Sequence, residues 1–303
     1  MTSPQPLISV ITTCLNAAPY LEEAIQSVSQ QDYKNFEHIV CDGGSTDGSL
    51  EILSRHPHLK ADIRPDQGIY DGMNRGLSAA RGDIICILNA DDFLKPGALS
   101  LAANTFSLIQ SLAMLTGGAE VVSENPSRET IILKPSAPPS FVGIAFGSPV
   151  VNARFYSKSL LEQVGLFDLS FSFAADREWL FRIVASGLKM EMTDETLYGY
   201  RAHEGSASMS GTDATAFKLW HEHLKLTDTL ILSDGTPPAL KSVCYNWRAI
   251  ERTKLALRTR RTDPSKSRSQ LLFDLVTRDP LYLIHLTMGL MSWLSRRRGH
   301  SDQ

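Results

Sequence analysis

The segment Asn89-Ala90-Asp91-Asp92 directly follows a continuous apolar run, Ile84–Leu88. Two neighbouring carboxylates and a carboxamide at the end of a buried strand present hard oxygen ligands. Such a set suits Mg²⁺ or Mn²⁺ and leaves coordination positions open for phosphate oxygens. A diphosphate leaving group gathers negative charge as its bond breaks, and a divalent cation stabilises that charge without moving a proton. Two further polar clusters end short apolar or β-branched runs: Thr13, Leu15 and Asn16 close Leu7–Thr13, and Asp42 closes Phe36–Cys41. Taken singly, each reads as a turn start or a helix cap. Three at three strand ends point to one cleft, because ligands of parallel α/β sheets sit beyond the strands' carboxyl ends.

The elements that must hold these residues alternate. After the first strand, Leu21, Ala24, Ile25 and Val28 recur at helical spacing. The second strand is followed by Gly43–Ser49, a turn that feeds a helix around Leu50–Leu53 with Ser45, Thr46 or Asp47 as its N-cap. Ala61–Arg64 reads as a third strand, and Tyr70–Ala80 as a helix stopped by Arg81-Gly82-Asp83. Ile84–Leu88 has the unbroken apolar character of a strand covered on both faces. This alternation predicts an α/β fold with a mostly parallel sheet and right-handed crossovers. Further on, Met114–Thr116, Glu120–Ser123 and Thr130–Leu133 read as strands, Ser136–Ser140 as a Pro-rich loop, and Ser159–Val164 and Trp179–Ser186 as helices. From Ala214 the chain reads as helices with basic faces, broken at Asp234–Pro238 and Arg260–Arg268. On one of them His221-Glu222-His223 is expected at the surface, since positions i and i+2 point to different sides.

At 303 residues, 43% hydrophobic and 21% charged, the composition excludes disordered, collagen-like and disulfide-scaffold classes. Cys14, Cys41, Cys86 and Cys244 are too dispersed for a metal knuckle, and the first three lie in or beside apolar runs that would bury them. Met1–Pro6 is polar without a basic start, so a reducing cytoplasm is the expected compartment. The net charge of −3 hides an asymmetry: from Lys241 onward 13 Lys+Arg face 5 Asp+Glu, a balance of +8, against −11 for the remainder. A basic tail on an acidic body calls for an anionic partner. Pro280–Leu294 is apolar for about 15 residues, short of the ~20 that span a bilayer. With Trp293 and Arg296-Arg297-Arg298 at its edge, it reads either as an interfacial helix or as a terminal helix packed on the body. Nucleic acid is not an expected partner, because aromatic and basic residues are sparsely interleaved.

Leu7–Asn16, Asp42–Ser49, Gly68–Asn74 and Gly76–Asp92 together resemble, in order, residue type and spacing, the family 2 glycosyltransferases. The likeness extends from Leu7 to about Ser210, and within the family it is nearest to small bacterial enzymes of cell-surface polysaccharide and glycolipid assembly. It implies a GT-A fold: residues 1–212 as the glycosyltransferase domain, 1–110 its nucleotide-sugar half and 111–212 its acceptor and base half, with 213–303 a basic helical extension. By position, Thr13, Leu15 and Asn16 would line the nucleoside and Asp42 would read a base, usually uracil. Asp66 and Asn74 match other donor-side positions, and Asp91, the last acid of the family's Asp-x-Asp motif, would touch Mn²⁺ or Mg²⁺. Asp92 would hold the loop or a ribose hydroxyl. Asn89 replaces the motif's first acid, and Met73 replaces a common arginine whose phosphate contact Arg75 is expected to supply.

The resemblance also implies a base. An acceptor hydroxyl loses its proton as it attacks the anomeric carbon, and a carboxylate within reach takes it. Asp176, at the start of a helix in Phe173–Trp179, matches the family's catalytic aspartate; Glu178 is its neighbour and competitor, read as a first-turn partner of the helix dipole. In Tyr200–Ser208, Arg201 would meet the diphosphate and His203 would ligate the metal or a phosphate oxygen. The reaction implied is metal-dependent, inverting transfer of one sugar from a nucleoside diphosphate donor, uridine-linked by expectation, to a saccharide or lipid-linked acceptor. The enzyme would work in the cytoplasm or peripherally at the inner face of the membrane. The Gln-x-x-Arg-Trp motif of the processive synthases is missing. Two rivals are a sugar nucleotidyltransferase, which would open with a Gly-rich basic signature absent from Thr12–Asn16, and a non-catalytic sugar-nucleotide-binding scaffold.

Overall fold

The computed structural model describes residues 5–124, 129–135, 138–147, 152–203, 213–262 and 267–301. The chain opens with β1 (Ile8–Cys14), α1 (Ala18–Ser29), β2 (Phe36–Asp42), α2 (Ser49–Ser54), β3 (Lys60–Ile63), α3 (Ile69–Ala79) and β4 (Ile84–Asn89). It continues through β5 (Phe93–Leu94), α4 (Ala98–Leu108), β6 (Leu112–Ser123), β7 (Ile131–Leu133), α5 (Phe141–Phe146), β8 (Arg154–Ser157), α6 (Lys158–Val164), α7 (Ala175–Ala185) and β9 (Lys189–Ala202). Four helices follow: α8 (Asp213–Leu232), α9 (Pro238–Thr262), α10 (Arg268–Arg278) and α11 (Tyr282–Ser301).

The strands form one sheet in the order β3-β2-β1-β4-β8-β6-β9-β5, with β7 beside β6. The first four strands are mutually parallel. Every residue of β1 is buried, and all of β4 but its last, as both faces of a central parallel strand must be. α1 lays Leu21, Ala24, Ile25 and Val28 against the sheet, the four positions marked out by the 3.6-residue period. Burying each of the three larger side chains, Leu21, Ile25 and Val28, contributes about 1.5–3 kcal/mol. Because the chain runs from β1 outward to β2 and β3 and then returns to β4 on β1's other side, the sheet has its switch point between β1 and β4. There the register sets Asn89, Thr13 and Cys41 side by side, with Asp42 one step beyond.

Several local expectations change. Met114–Thr116 and Glu120–Ser123 belong to one strand, β6, because pairing with β8 and β9 carries the chain through Gly117-Gly118. α2 takes Gly48, in the left-handed region at φ 102°, as its N-cap instead of Ser45, Thr46 or Asp47; Asp47 nonetheless accepts a hydrogen bond from the Ser49 amide at 3.1 Å. Part of the Pro-rich loop, residues 136 and 137, lies outside the described residues. All four cysteines are free and buried, and burial pushes the thiols of Cys14, Cys86 and Cys244 up to about 12 and that of Cys41 to about 11.

The chain divides into two compact units, one of Met1–Pro138, Val150–Ala175 and Ser186–Ser210, the other of Pro139–Pro149, Asp176–Ala185 and Gly211–Gln303. The sheet belongs to the first. The second is helical and centred on Trp247 of α9, which meets Phe181 of α7 edge-on at 5.9 Å. His223 of α8 lies against the same indole at 4.7 Å and is buried, whereas the sequence placed it at the surface. α8 and α9 pack against each other, so the face bearing His223 turns inward, where its Nδ1 lies 3.4 Å from Glu251 Oε2 of α9.

Candidate functional site

Beyond the carboxyl ends of β1, β2 and β3 lies a wall in which polar side chains brace one another. Asp42 is fully buried, and its Oδ1 accepts hydrogen bonds from the amides of Gly44 and Ser45, both at 2.8 Å. Its Oδ2 accepts from the Ser45 hydroxyl at 2.6 Å. The carboxylate is therefore spent on the turn it opens, and it shapes the wall through that turn. Asn16, in the left-handed region at φ 51°, links this turn to the β1 loop: its Oδ1 accepts from the Thr46 amide at 2.8 Å and its own amide donates to the Ser45 hydroxyl at 2.8 Å. A Cβ on Gly43 would stand 2.6 Å from Asp66 Oδ2, so the missing side chain is what lets Asp66 lie over the turn. Arg75 approaches Asp66 at 3.7 Å and Asp62 at 3.5 Å, and donates to the carbonyls of Arg64 and Asp42. These contacts hold Arg75 against the wall. In front of the wall stand Thr13, whose buried hydroxyl has no partner, and Leu15, 56% exposed. An orphaned hydroxyl and an exposed aliphatic side chain at a strand end are what a nucleoside would satisfy and cover.

Asn74 takes no part in this surface. Its carboxamide is closed in a reciprocal pair with Phe167, Nδ2 donating to the carbonyl and Oδ1 accepting from the amide, both at 2.9 Å. It fixes the loop after α6.

The end of β4 is built differently. Asp92 is buried and holds β9: its Oδ2 accepts from the Tyr198 hydroxyl at 2.6 Å and from Asn89 Nδ2 at 3.2 Å, and its Oδ1 accepts from the Arg201 amide at 2.8 Å. Burial first, then repulsion from Asp91, pushes its carboxyl up to about 7. Asp91 points out instead, its side chain 32% exposed, with Oδ2 lying 3.1 Å from His203 Nε2. Arg201 donates from Nε to the Asp91 carbonyl at 3.1 Å and from Nη2 to Glu23 at 2.6 Å. Asp91 Oδ2 and His203 Nε2, in contact at 3.1 Å, are an oxygen and a nitrogen donor of the kinds a divalent cation such as Mn²⁺ accepts. Among the described residues no three or more His, Cys, Asp or Glu cluster as a closed metal cage.

Tyr20, which sequence reasoning missed, holds this end together. Its ring lies 4.7 Å from the His203 ring and 5.3 Å from the Arg201 guanidinium, and its hydroxyl donates to Glu124 at 2.7 Å. Phe93 adds a second ring 5.6 Å from the same guanidinium. Tyr20 sits on the exposed side of α1, where helical spacing alone reads a tyrosine as surface. Glu204–Ser208 of the returning segment lie outside the described residues.

Asp176 belongs to the helical unit, in the first turn of α7, where it accepts a hydrogen bond from the Arg177 amide at 2.7 Å. Arg177 anchors this turn by donating to the carbonyls of Ile144 and Gly147 and lies 5.7 Å from the Trp247 ring. Glu178 is occupied in a two-point ion pair with Arg182, both contacts at 2.7 Å.

The parallel α/β half and its strand order are those of the GT-A fold of sugar-transferring enzymes. The glycosyl transferase family 2 profile matches residues 9–113. An uncharacterized glycosyltransferase of Mycobacterium tuberculosis is 35% identical over 190 residues, 60% of this chain and 70% of that protein. The chain belongs to glycosyltransferase family 2 and is a glycosyltransferase. Chondroitin synthase of Pasteurella multocida is 31% identical over 112 residues, 36% of this chain and 12% of the synthase. Among solved structures, Staphylococcus aureus TarS with UDP-GlcNAc superposes with a TM-score of 0.66 at 16% identity, covering 96% of this chain and 92% of that one. The mannosyltransferase PcManGT of Pyrobaculum calidifontis, with GDP-Man and Mn²⁺, gives 0.60 at 18% identity, covering 99% and 89%. These two likenesses establish the fold.

Proposed function

We propose that the enzyme moves one sugar, with inversion, from a nucleoside diphosphate donor to an acceptor hydroxyl, and that it needs a divalent cation. The observation that carries this reading is the Asp91–His203 contact beside Arg201 at the switch point. The nucleoside lies against Thr13 and Leu15, on the wall that Asn16, Asp42 and Asp66 shape. Asp91 and His203 would hold Mn²⁺ or Mg²⁺, which when bound would supply positive charge to the diphosphate. Arg201 offers its planar fork to the same phosphates. Asp176 takes the acceptor's hydroxyl proton as the oxygen bonds to the anomeric carbon and the carbon–oxygen bond to the diphosphate breaks. Uridine is the favoured nucleoside, in keeping with the UDP-GlcNAc of TarS, though GDP-Man in PcManGT shows that the fold accepts guanosine. The acceptor is a saccharide or a lipid-linked saccharide of surface polysaccharide or glycolipid assembly. The enzyme acts in the cytoplasm or peripherally at the inner membrane face, and without the Gln-x-x-Arg-Trp motif it transfers single residues.

Calorimetric titration with UDP, GDP and TDP, with and without Mn²⁺, tests this reading. Mn²⁺-dependent binding of one nucleotide is expected, and no binding of any by folded protein overturns it. Replacing Asp176 by Asn is expected to lower transfer about 10³-fold, within the range for loss of a general base, while nucleotide affinity stays within twofold. Unchanged transfer would remove Asp176 from the mechanism.

A further inference from the structure

α11 has an apolar face turned towards α9 and a second apolar face turned outward. Tyr282 and Gly289 are buried, and His285 stacks on Tyr245 of α9 with ring centroids 5.1 Å apart. A Cβ at Gly289 would meet the Asn246 carbonyl at 2.8 Å and Ile250 Cδ1 at 2.9 Å, so the two helices approach as closely as a bare backbone allows. A surface helix packed in this way ordinarily carries polar residues on its other side. Here that side bears Leu283, Ile284, Met288, Leu290, Met291 and Leu294, each 43–60% exposed. At 1.5 Å per residue the stripe runs about 17 Å. The neighbouring α10 exposes Leu272 and Phe273 as well. The packed-helix reading of this segment holds for the side that faces α9.

We infer that the outward face of α11 is a docking surface for an anionic lipid bilayer, with the helix lying in the headgroup plane. The inference deepens the reading of a peripheral enzyme with a lipid-linked acceptor, and it names the surface that makes contact. Charge selects the occupant. Tyr282–Ser301 contains no Asp or Glu, the Arg296-Arg297-Arg298 run comes after the stripe in sequence, and the chain from Lys241 carries a balance of +8. A second copy of the chain would bring like charge against like charge, whereas anionic headgroups attract basic segments while apolar side chains enter the acyl boundary. Among the described residues no helix is long and apolar enough to cross the membrane, so the helix lies on the bilayer.

Cosedimentation of the full chain with phosphatidylglycerol vesicles, compared with phosphatidylcholine vesicles, tests the inference. The protein is expected to pellet with the anionic vesicles at least tenfold more than with the neutral ones, and raising salt is expected to release it. The triple variant Ile284→Ser, Met288→Ser, Met291→Ser, altered only at exposed positions, is expected to lose at least tenfold in vesicle binding. Its unfolding temperature and its nucleotide titration should match the parent. Failure of the parent to bind anionic vesicles overturns the inference, as does undiminished binding by the folded variant. A parent that sediments as a dimer, ignores vesicles, and becomes monomeric in the variant overturns it in favour of a second copy. None of these readouts involves sugar transfer, so they leave the donor-site reading to its own titration.

Discussion

Asp42 and Asp91 sit at comparable places, one the last residue of β2 and the other two residues past the end of β4, the parallel strands flanking β1, and they are used in opposite ways. Asp42 is sealed in, with both carboxylate oxygens accepting from its own turn. Asp91 is a third exposed and meets an imidazole that arrives from β9. The difference lies in the residues next to each acid. After Asp42, Gly43-Gly44-Ser45 folds back tightly enough to deliver two amides and a hydroxyl to the carboxylate. After Asp91, a second acid takes the inward place, and Asp92 does for β9 what Asp42 does for its turn. The end of the cleft proposed for the base is thus braced locally, and the end proposed for the diphosphate is braced by a distant strand.

That contrast can be broken experimentally. Replacing Asp91 by Ala should lower transfer by about 10²–10³-fold and Mn²⁺ affinity, read by calorimetry, at least tenfold, with unfolding nearly unchanged; a large stability loss would put Asp91 in Asp42's class. Replacing Asp42 by Ala leaves the buried amides of its turn without an acceptor and should cost about 2–4 kcal/mol. In a unit of this size that is about 5–15 °C in Tm, and a variant that melts like the parent would show the turn to be held otherwise. Tyr20→Ala removes the ring between His203 and Arg201. We expect KM for the donor to rise about tenfold with a smaller fall in kcat, and Tyr20→Phe, which keeps the ring, to recover most of it. Equal loss in both variants would shift the role to the hydroxyl bond with Glu124.

The mildest test concerns the base end's footing. His38 is buried beneath it, 2.9 Å from the Thr12 hydroxyl, and burial lowers its pKa to about 3. Unfolded, the same imidazole takes up a proton near pH 6.5. Below that pH the unfolded chain binds more protons than the folded one, so stability falls as pH drops, by at most about 1.4 kcal/mol per unit, until about pH 3. Urea unfolding between pH 4.5 and 7 should show a shallower acid limb for His38→Gln than for the parent; identical slopes would assign the limb to other groups.

The two ends also differ in how far the sequence discloses them. β1, α1, β2 and β4 announce themselves because each is a local pattern, and Leu21, Ala24, Ile25 and Val28 turn inward as their spacing requires. The clusters at Thr13, Asp42 and Asp91 are local too. What the sequence leaves hidden is the direction in which each acid turns, because that depends on partners elsewhere: on Tyr198, 106 residues beyond Asp92, and on His203, 112 beyond Asp91. Tyr20 escapes notice for the same reason, being an ordinary helix residue until the chain returns beside it. His223 looks solvent-facing on its own helix and is buried only because α9 packs against α8.

The Asp92–Tyr198 bond also sets an order of assembly during synthesis. At 5–20 residues per second, a ribosome takes about 5–20 s to travel the 106 residues from Asp92 to Tyr198. Throughout that interval the nascent chain already contains β1, β2 and β3, while the Asp92 carboxylate still waits for the hydroxyl and amide that will bury it. A chain released early would therefore contain β1, β2 and β3 but lack the β9 partners of Asp92.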